Sequence, residues 1–263
     1  MSKKFSIITP SFNQGEYIED NIKSVLHQKN VLVEHIIIDG GSTDKTLEIL
    51  KKYNHLKWVS EKDRGQTHAL NKALELTTGD IVGWLNADDY YEKNIFERVV
   101  SELKKKDVGF VYGNFNYVNK SKEIIKNKKV KNIFPMSKKI ISKFICFCPS
   151  VTFFINKDFL KETKFDEKME YSMDKDLFAN LINNNLNPKK IDITLSNFRL
   201  HGANKFEMKN DKLSKDFRYS EGIQIFNKYT KYKIPNNTIG KFIYSSIQKI
   251  IIILNYISNF FIK

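Results

Sequence analysis

The chain has 263 residues, 41% of them hydrophobic, and 44 Lys and Arg against 30 Asp and Glu leave a net charge of +14. That suffices for one large domain with a real core, with or without an appendage. The charge suggests an anionic partner (nucleic acid, anionic lipid headgroups or a phosphorylated substrate) or simply a solvated basic surface. The two cysteines, Cys146 and Cys148, form a C-x-C pair with too few ligands for structural zinc and read as buried thiols of a reducing compartment. No long apolar run precedes a cleavage site in "MSKKFSIITPSFN", so no secretory signal is expected.

In chain order, Phe5–Pro10 reads as a strand stopped by proline. Ile18, Ile22, Val25 and Leu26 give Tyr17–Gln28 a helical period, and Glu34–Asp39 is a short apolar strand. Ser42 and Asp44 are suited to opening a helix that carries Leu47, Ile49 and Leu50. Leu56–Ser60 is a strand, Gln66–Leu76 a helix with Ala69, Leu70, Ala73 and Leu74 on one face, and Asp80–Leu85 a strand. A helix over about 94–105 and a strand over Val108–Gly113 complete an alternation that implies a parallel sheet covered by helices on both faces.

The second half changes character. Nine Lys against one Glu from Lys120 to Lys143 predict a mobile or surface segment over 119–143. Pro149–Asn156 reads as a strand, Lys157–Thr163 as a short helix, Ser172–Asn184 as a helix and Lys190–His201 as a strand. In the tail from Ile239, thirteen residues between Lys249 and Lys263 carry no charge. A spanning helix needs about 20 apolar residues. The tail therefore reads first as a helix lying in a membrane interface, then as one packed on the protein or on a second copy in a homo-oligomer, and last as a true span.

Ligands of parallel sheets bind beyond the carboxyl ends of the strands. Polar groups cluster there four times: Thr9–Asn13, Asp39, Glu61–Gly65 and Asn86–Asp89. The last is the oddest, since an apolar strand ends in two adjacent carboxylates, Asp88 and Asp89, within a basic chain. Such a pair suits an oxygen-loving divalent cation, Mg²⁺ or Mn²⁺, serving an anionic ligand. No G-x-G-x-x-G follows the first strand, which argues against a dinucleotide-dependent dehydrogenase. A nucleic-acid binder would leave the rim carboxylates unexplained.

Six stretches in this order resemble glycosyltransferase family 2: "ITPSFN", "IIIDGGSTDKT", "EKDRGQTHALNKAL", "WLNADD", "CPSVTFFINKDFLKETKFDEKMEYSMDKDL" and "NFRLHGANK". The resemblance covers about residues 4–205 and implies an α/β fold of the GT-A type, with a mostly parallel nucleotide-binding sheet flanked by helices. It divides the chain into a catalytic domain, 1–205, with a nucleotide-sugar half over 1–113 and an acceptor half over 114–205. A helical extension, 206–263, would then touch the membrane. The implied activity is inverting transfer of a hexosyl or N-acetylhexosaminyl group. The donor would be a nucleoside-diphosphate sugar, UDP-linked, and the acceptor a hydroxyl of a glycan or lipid-linked molecule. The setting would be bacterial surface polysaccharide, lipopolysaccharide or glycoprotein-glycan synthesis, cytoplasmic and peripheral on the inner face of the cell membrane, with no nucleic acid involved.

By the same resemblance Asp88 ligates the cation, joined late in the fold by His201, with Lys205 near the diphosphate. Asp39 accepts the uracil N3–H, and Thr9, Pro10, Ser11 and Asn13 wall the nucleoside. Asp63, Arg64 and Gly65 meet ribose or diphosphate, Asn71 and Lys72 belong to the donor-side helix entry, and Asn86 and Ala87 complete the metal loop. Asp174 is the base, while Asp176, about 200° further round the helix, is structural. Three positions depart from the family pattern: Asn86 and His68 stand where many members have Asp, and Met173 where Glu is usual. The first and third leave an inactive nucleotide-sugar or glycan binder of the same fold as the alternative.

Overall fold

A computed structural model describes residues 3–105, 108–130, 149–160, 163–184, 186–202, 204 and 212–260. Cys146, Cys148 and Lys205, and the part of the lysine-rich segment beyond residue 130, lie outside the described residues. The chain forms two compact units, one of residues 1–129, 148–167 and 187–200, the other of residues 130–147, 168–186 and 201–263.

The first unit is built on one sheet. Its strands are β1 (Lys4–Ser11), β2 (Leu32–Asp39), β3 (Lys57–Ser60), β4 (Ile81–Trp84), β5 (Tyr90–Tyr91), β6 (Phe110–Val118), β7 (Ile124–Lys128), β8 (Phe153–Asn156) and β9 (Pro188–Arg199). The spatial order is β3-β2-β1-β4-β8-β6-β9-β5, with β7 paired to β6. β1 to β4 run parallel, as the alternation predicts. The next strand in the sheet is not β6 but β8, which is antiparallel to both β4 and β6. Gly83 makes that insertion fit: a Cβ there would come within 2.8 Å of the Phe154 ring and 2.9 Å of Ile7.

The strands form because their side chains are apolar on both faces, the pattern of a sheet covered on two sides. One face buries Phe5, Ile7, Ile81, Leu85, Val111, Phe154 and Leu195. Against it lies Phe96 of the helix α4 (Phe96–Leu103), whose ring stacks on Phe5 at 4.3 Å. On the same face, further along β2, Ile37 packs with Ile18 and Ile22 of α1 (Ile18–Leu26) and Ile49 and Leu50 of α2 (Thr46–Leu50). α3 (Gln66–Glu75) buries Ala69, Leu70 and Ala73, as its spacing predicts. It starts directly after Gly65, whose φ of 111° favours glycine.

Several elements differ from expectation. Ser150–Thr152 is a 3₁₀ turn, so the strand is confined to Phe153–Asn156, and Lys157–Leu160 is also 3₁₀ rather than α. The basic segment is not wholly irregular: Ile124–Lys128 is an exposed strand in a hairpin with β6, and lysines on such an edge discourage pairing with another chain.

The second unit contains α5 (Met173–Asn183), α6 (Lys212–Tyr229) and α7 (Thr238–Phe260). α5 is buried on most sides. Asp176 pairs with Lys228 at 3.0 Å, the structural role its position on the helix predicts. The Lys175 ammonium meets the Tyr244 hydroxyl, whose pKa is raised chiefly by burial. Gly222 is the close approach of α6 to α7, since a Cβ there would sit 2.7 Å from that hydroxyl. Glu221 accepts the backbone N–H groups of Glu170 and Tyr171 at 2.6 and 3.1 Å. α7 buries Tyr244 and Ile251 and exposes Ile239, Phe242, Ile243, Ile250 and Ile253, which form a second apolar stripe. No helix among the described residues is long and apolar enough to cross a membrane.

Candidate active site

The loop from Asn86 to Asp89 leaves the carboxyl end of β4 and leads into β5. Asp88 is half-buried there and Asp89 is 1% exposed. The Asp89 carboxylate accepts the backbone N–H of Arg199 at 2.8 Å and the Asn86 amide at 3.2 Å. Burial first, and then the neighbouring Asp88 charge, raise its pKa well above the carboxylate range. The Asn86 amide oxygen accepts from the Trp84 indole at 2.9 Å and the Gln66 amide at 3.1 Å. An Asn therefore suits this position: it takes two donors and returns one to Asp89, where a third carboxylate would add repulsion. From α1, Asn21 donates to the backbone carbonyls of Asn86 and Asp89 at 2.7 and 3.1 Å.

Next to β4 in the sheet, β1 ends in Ser11, whose buried hydroxyl has no hydrogen-bond partner among the described residues. Pro10 is buried beside it. Thr9 is fully buried and bonds His35 at 2.9 Å, in the sheet interior rather than on the rim. The His35 imidazole is kept neutral, its pKa lowered by burial to about 3. β2 ends in Asp39, fully buried. One of its oxygens accepts from the Ser42 hydroxyl at 2.5 Å, the other from Ser60 at 2.7 Å and the N–H groups of Ser42 and Gly41 at 2.9 and 3.1 Å. The Ser42 hydroxyl in turn accepts the Asn13 N–H, and the Asn13 side chain accepts that of Thr43. Asn13 adopts a φ of 51°, which Asn tolerates. The β1 and β2 ends are thus one hydrogen-bonded turn system.

Beyond β3, the Asp63 carboxylate accepts the Gly65 N–H at 2.8 Å and lies where a Cβ on Gly40 would stand, 2.9 Å away. Arg64 pairs with Glu167 at 2.7 Å. Asn71 clasps the Phe165 backbone, accepting its N–H at 2.8 Å and donating to its carbonyl at 3.0 Å. Lys72 pairs with Glu61 at 2.5 Å. Ala87 is buried against α1. Gathered on one rim, then, are Ser11, Asn13, Asp39, Asp63, Gly65, Asn86 and Asp88.

A scan against family models matches residues 6–163 to Glycosyl transferase family 2. The chain belongs to glycosyltransferase family 2. This family 2 chain is 29% identical over 256 residues to chondroitin synthase of Escherichia coli, a match covering 88% of the chain and 37% of that protein. It is 25% identical over 260 residues to an E. coli protein named UDP-Glc:alpha-D-GlcNAc-diphosphoundecaprenol beta-1,3-glucosyltransferase, covering 96% and 91%. It spans roughly a third to just over half of the length of the first curated relatives it matches. Among solved structures, a mannosyltransferase from Pyrobaculum calidifontis in complex with GDP-Man and Mn²⁺ superposes with a TM-score of 0.65 at 18% identity, covering 94% of this chain and 70% of that one. The fold is of the GT-A type.

The donor set of this family 2 chain fits a hard cation. Asp88 and Asp89 offer oxygens whose mutual repulsion and burial are only partly offset. Among the described residues no group of three or more His, Cys, Asp or Glu could hold a metal by itself. One or two carboxylates, with the remaining positions left to phosphate oxygens and water, is the usual arrangement for Mg²⁺. In the second unit, Asp174 is half-buried in the first turn of α5 and accepts the Lys175 N–H at 2.7 Å. His201, in the same unit, is half-buried and two residues past β9.

Sequence reasoning missed Arg199. The pairing of Tyr90 with Asn197 and of Tyr91 with Ser196, antiparallel, carries the end of β9 back alongside Asp88 and Asp89. The signal was there: Arg199 ends a stretch, Ile193–Phe198, that carries no charge of its own.

Proposed function

We propose that the chain transfers a sugar, with inversion, from a UDP-sugar to a hydroxyl of a glycan or lipid-linked acceptor in bacterial surface-polysaccharide synthesis. The observation that carries this reading is the Asn86–Asp89 loop, clamped at the strand ends beside the Asp39 turn. Two relatives support the setting by their names, one a chondroitin synthase and one acting on a diphosphoundecaprenol-linked sugar. The catalytic region is residues 1–205 and the extension 206–263. Asp39 and the Ser11–Asn13 turn receive the uridine, Asp63 and Arg64 the ribose and diphosphate, with Arg64 exchanging Glu167 for phosphate. Asp88, and His201 by the family pattern, hold a Mg²⁺ or Mn²⁺ that offsets the leaving group's charge when bound.

Asp174 takes the acceptor proton as the hydroxyl oxygen attacks the anomeric carbon, and the bond from that carbon to the diphosphate oxygen breaks on the opposite face. Asp174→Asn should lower turnover by about 10²–10⁴-fold. Thermal stabilisation by UDP-sugar plus Mn²⁺ should survive, near 2.7 kcal/mol at a hundredfold excess over Kd. Undiminished turnover would remove Asp174 as base, and the absence of any metal-dependent stabilisation across UDP-sugars would remove the donor assignment.

The exposed stripe of α7, with Phe242 73% and Ile253 57% exposed, supports a peripheral position on an anionic cytoplasmic membrane surface, the excess lysine adding attraction. Because Tyr244 on the same helix is buried against α6, surface substitution tests this better than truncation. Phe242→Asp with Ile250→Asp should cut cosedimentation with anionic vesicles by about tenfold or more, each buried apolar side chain contributing about 1.5–3 kcal/mol. If vesicle binding of the double variant equals that of the parent, α7 is not the contact.

A further inference from the structure

Arg199 is 2% exposed, one of the largest fully buried side chains among the described residues. Its guanidinium lies 4.9 Å from the centre of the Tyr17 ring and 5.4 Å from that of Tyr90. Nε donates to the backbone carbonyl of Asp88 at 2.9 Å, Nη1 to that of Lys120 at 3.0 Å and Nη2 to the Asp20 carboxylate at 2.8 Å. Its own backbone N–H holds the Asp89 carboxylate.

A purely structural plug would not need this chemistry. A buried ion pair is often no more stabilising than an apolar residue of similar volume, and two tyrosine rings would accept one. What arginine supplies is a rigid fork of donors and a fixed positive charge. Both are aimed at the loop that carries the carboxylate pair. One strand-end residue grips the backbone of Asp88 and the side chain of Asp89, and ties them to the first turn of α1 through Asp20.

We propose that Arg199 is the positioning residue of the cation site: it fixes the direction in which Asp88 presents its carboxylate and keeps two adjacent carboxylates together when no cation is bound. The proposal rests on the assignment of Asp88 as cation ligand. Lysine at this position keeps the charge but cannot serve Asp88, Lys120 and Asp20 at once, so the loop loses its direction while keeping its electrostatic balance.

The test is Mn²⁺ binding to the full chain in the presence of UDP, followed by the electron paramagnetic resonance signal of free Mn²⁺. Arg199→Lys should bind Mn²⁺ about ten- to a hundredfold more weakly, the scale of losing a group that orients a metal ligand. Its transfer rate should recover as Mn²⁺ is raised. A lesion of general stability would lower the active fraction without moving the Mn²⁺ dependence. If the lysine variant does not fold, Asp20→Ala decides, since it removes the acceptor of Nη2 and leaves Nε and the backbone N–H in place; about three- to tenfold weaker Mn²⁺ binding is expected, again on the scale of an outer-shell change. Binding within twofold of the parent in the deciding variant overturns the role of Arg199 alone. A parent chain that binds no Mn²⁺ overturns both this role and the assignment of Asp88.

Discussion

Two buried carboxylates sit at opposite ends of the same parallel strands, and their surroundings are unlike. Glu34, near the start of β2, receives Lys57 and Lys4 at 2.8 and 2.9 Å, the Ser6 hydroxyl at 2.5 Å, and the Thr78 hydroxyl and N–H at 2.8 and 2.6 Å. Despite burial these partners, Lys57 and Ser6 foremost, hold its pKa far below the usual range. Asp89, past the end of β4, has a backbone N–H, one long amide contact and a like charge next to it, and its pKa is driven up. A carboxylate with as many donors as Glu34 belongs to the fold. Asp89 has fewer, with Asp88 beside it and Arg199 as the nearby cation, and the proposed site rests on that contrast more than on burial.

The comparison can be broken by mutation. The largest effect should come from Asp88→Asn, which removes charge from the under-compensated end. Transfer should fall about 10³-fold or more, near 4 kcal/mol of transition-state stabilisation. The metal-free melting temperature should hold or rise, because Asp89 loses its repulsive neighbour. A marked drop in melting temperature would make Asp88 structural.

Glu34→Gln should do the reverse, leaving transfer intact in the folded fraction and costing about 2–3 kcal/mol, since an amide NH₂ would then face two ammonium groups. That loss should depend on pH. The folded pKa of Glu34 lies below its unfolded value of 4.5, so its contribution is complete above about pH 5 and is lost as pH falls through the folded pKa. Denaturant melts of parent and variant should therefore converge toward pH 3, and a gap that is constant with pH would contradict the ion-pair account. Smallest of all, Lys72→Ala breaks only the half-exposed pair with Glu61 and should shift stability by less than about 1 kcal/mol. A larger loss would mean that the rim is held together by charge after all.

Much of this contrast was legible in the sequence. Short apolar runs and period-3.6 helices place β1 to β4 and α1 to α4 in order, and strand ends in a parallel sheet are where polar clusters become a site. Asp39 and Asp88 follow from that logic alone. What the sequence hid was pairing between distant segments. Nothing local distinguishes a strand that continues the parallel order, as β6 was expected to, from one displaced by β8. The same blindness hid Arg199, whose importance comes from a two-residue strand, Tyr90–Tyr91, too short to show a period. Asn71 was expected at the donor and instead clasps the backbone of Phe165, a partner 94 residues away. Thr9 was expected to wall the nucleoside, but the alternation of β1 turns it toward His35. The helix α6 was expected only as an undivided part of the helical extension, for a different reason: its apolar residues follow no clean face, and it is held by individual contacts such as Lys228 to Asp176 and Glu221 to the turn before α5.

The insertion of β8 between β4 and β6 also governs how the protein can be made. A growing chain that has reached residue 130 has every strand of the nucleotide half and both neighbours of the gap, but not the piece that fills it. Until residues 153–156 emerge, β4 and β6 present open hydrogen-bonding edges lined by Val82, Val111 and other apolar side chains, a surface prone to sticking to other chains. Cutting the gene between the donor-side and acceptor-side halves would leave that edge permanently bare. Attempts to graft this parallel-sheet platform onto another protein should therefore carry the chain through Asn156, not stop at the apparent end of the alternating repeat.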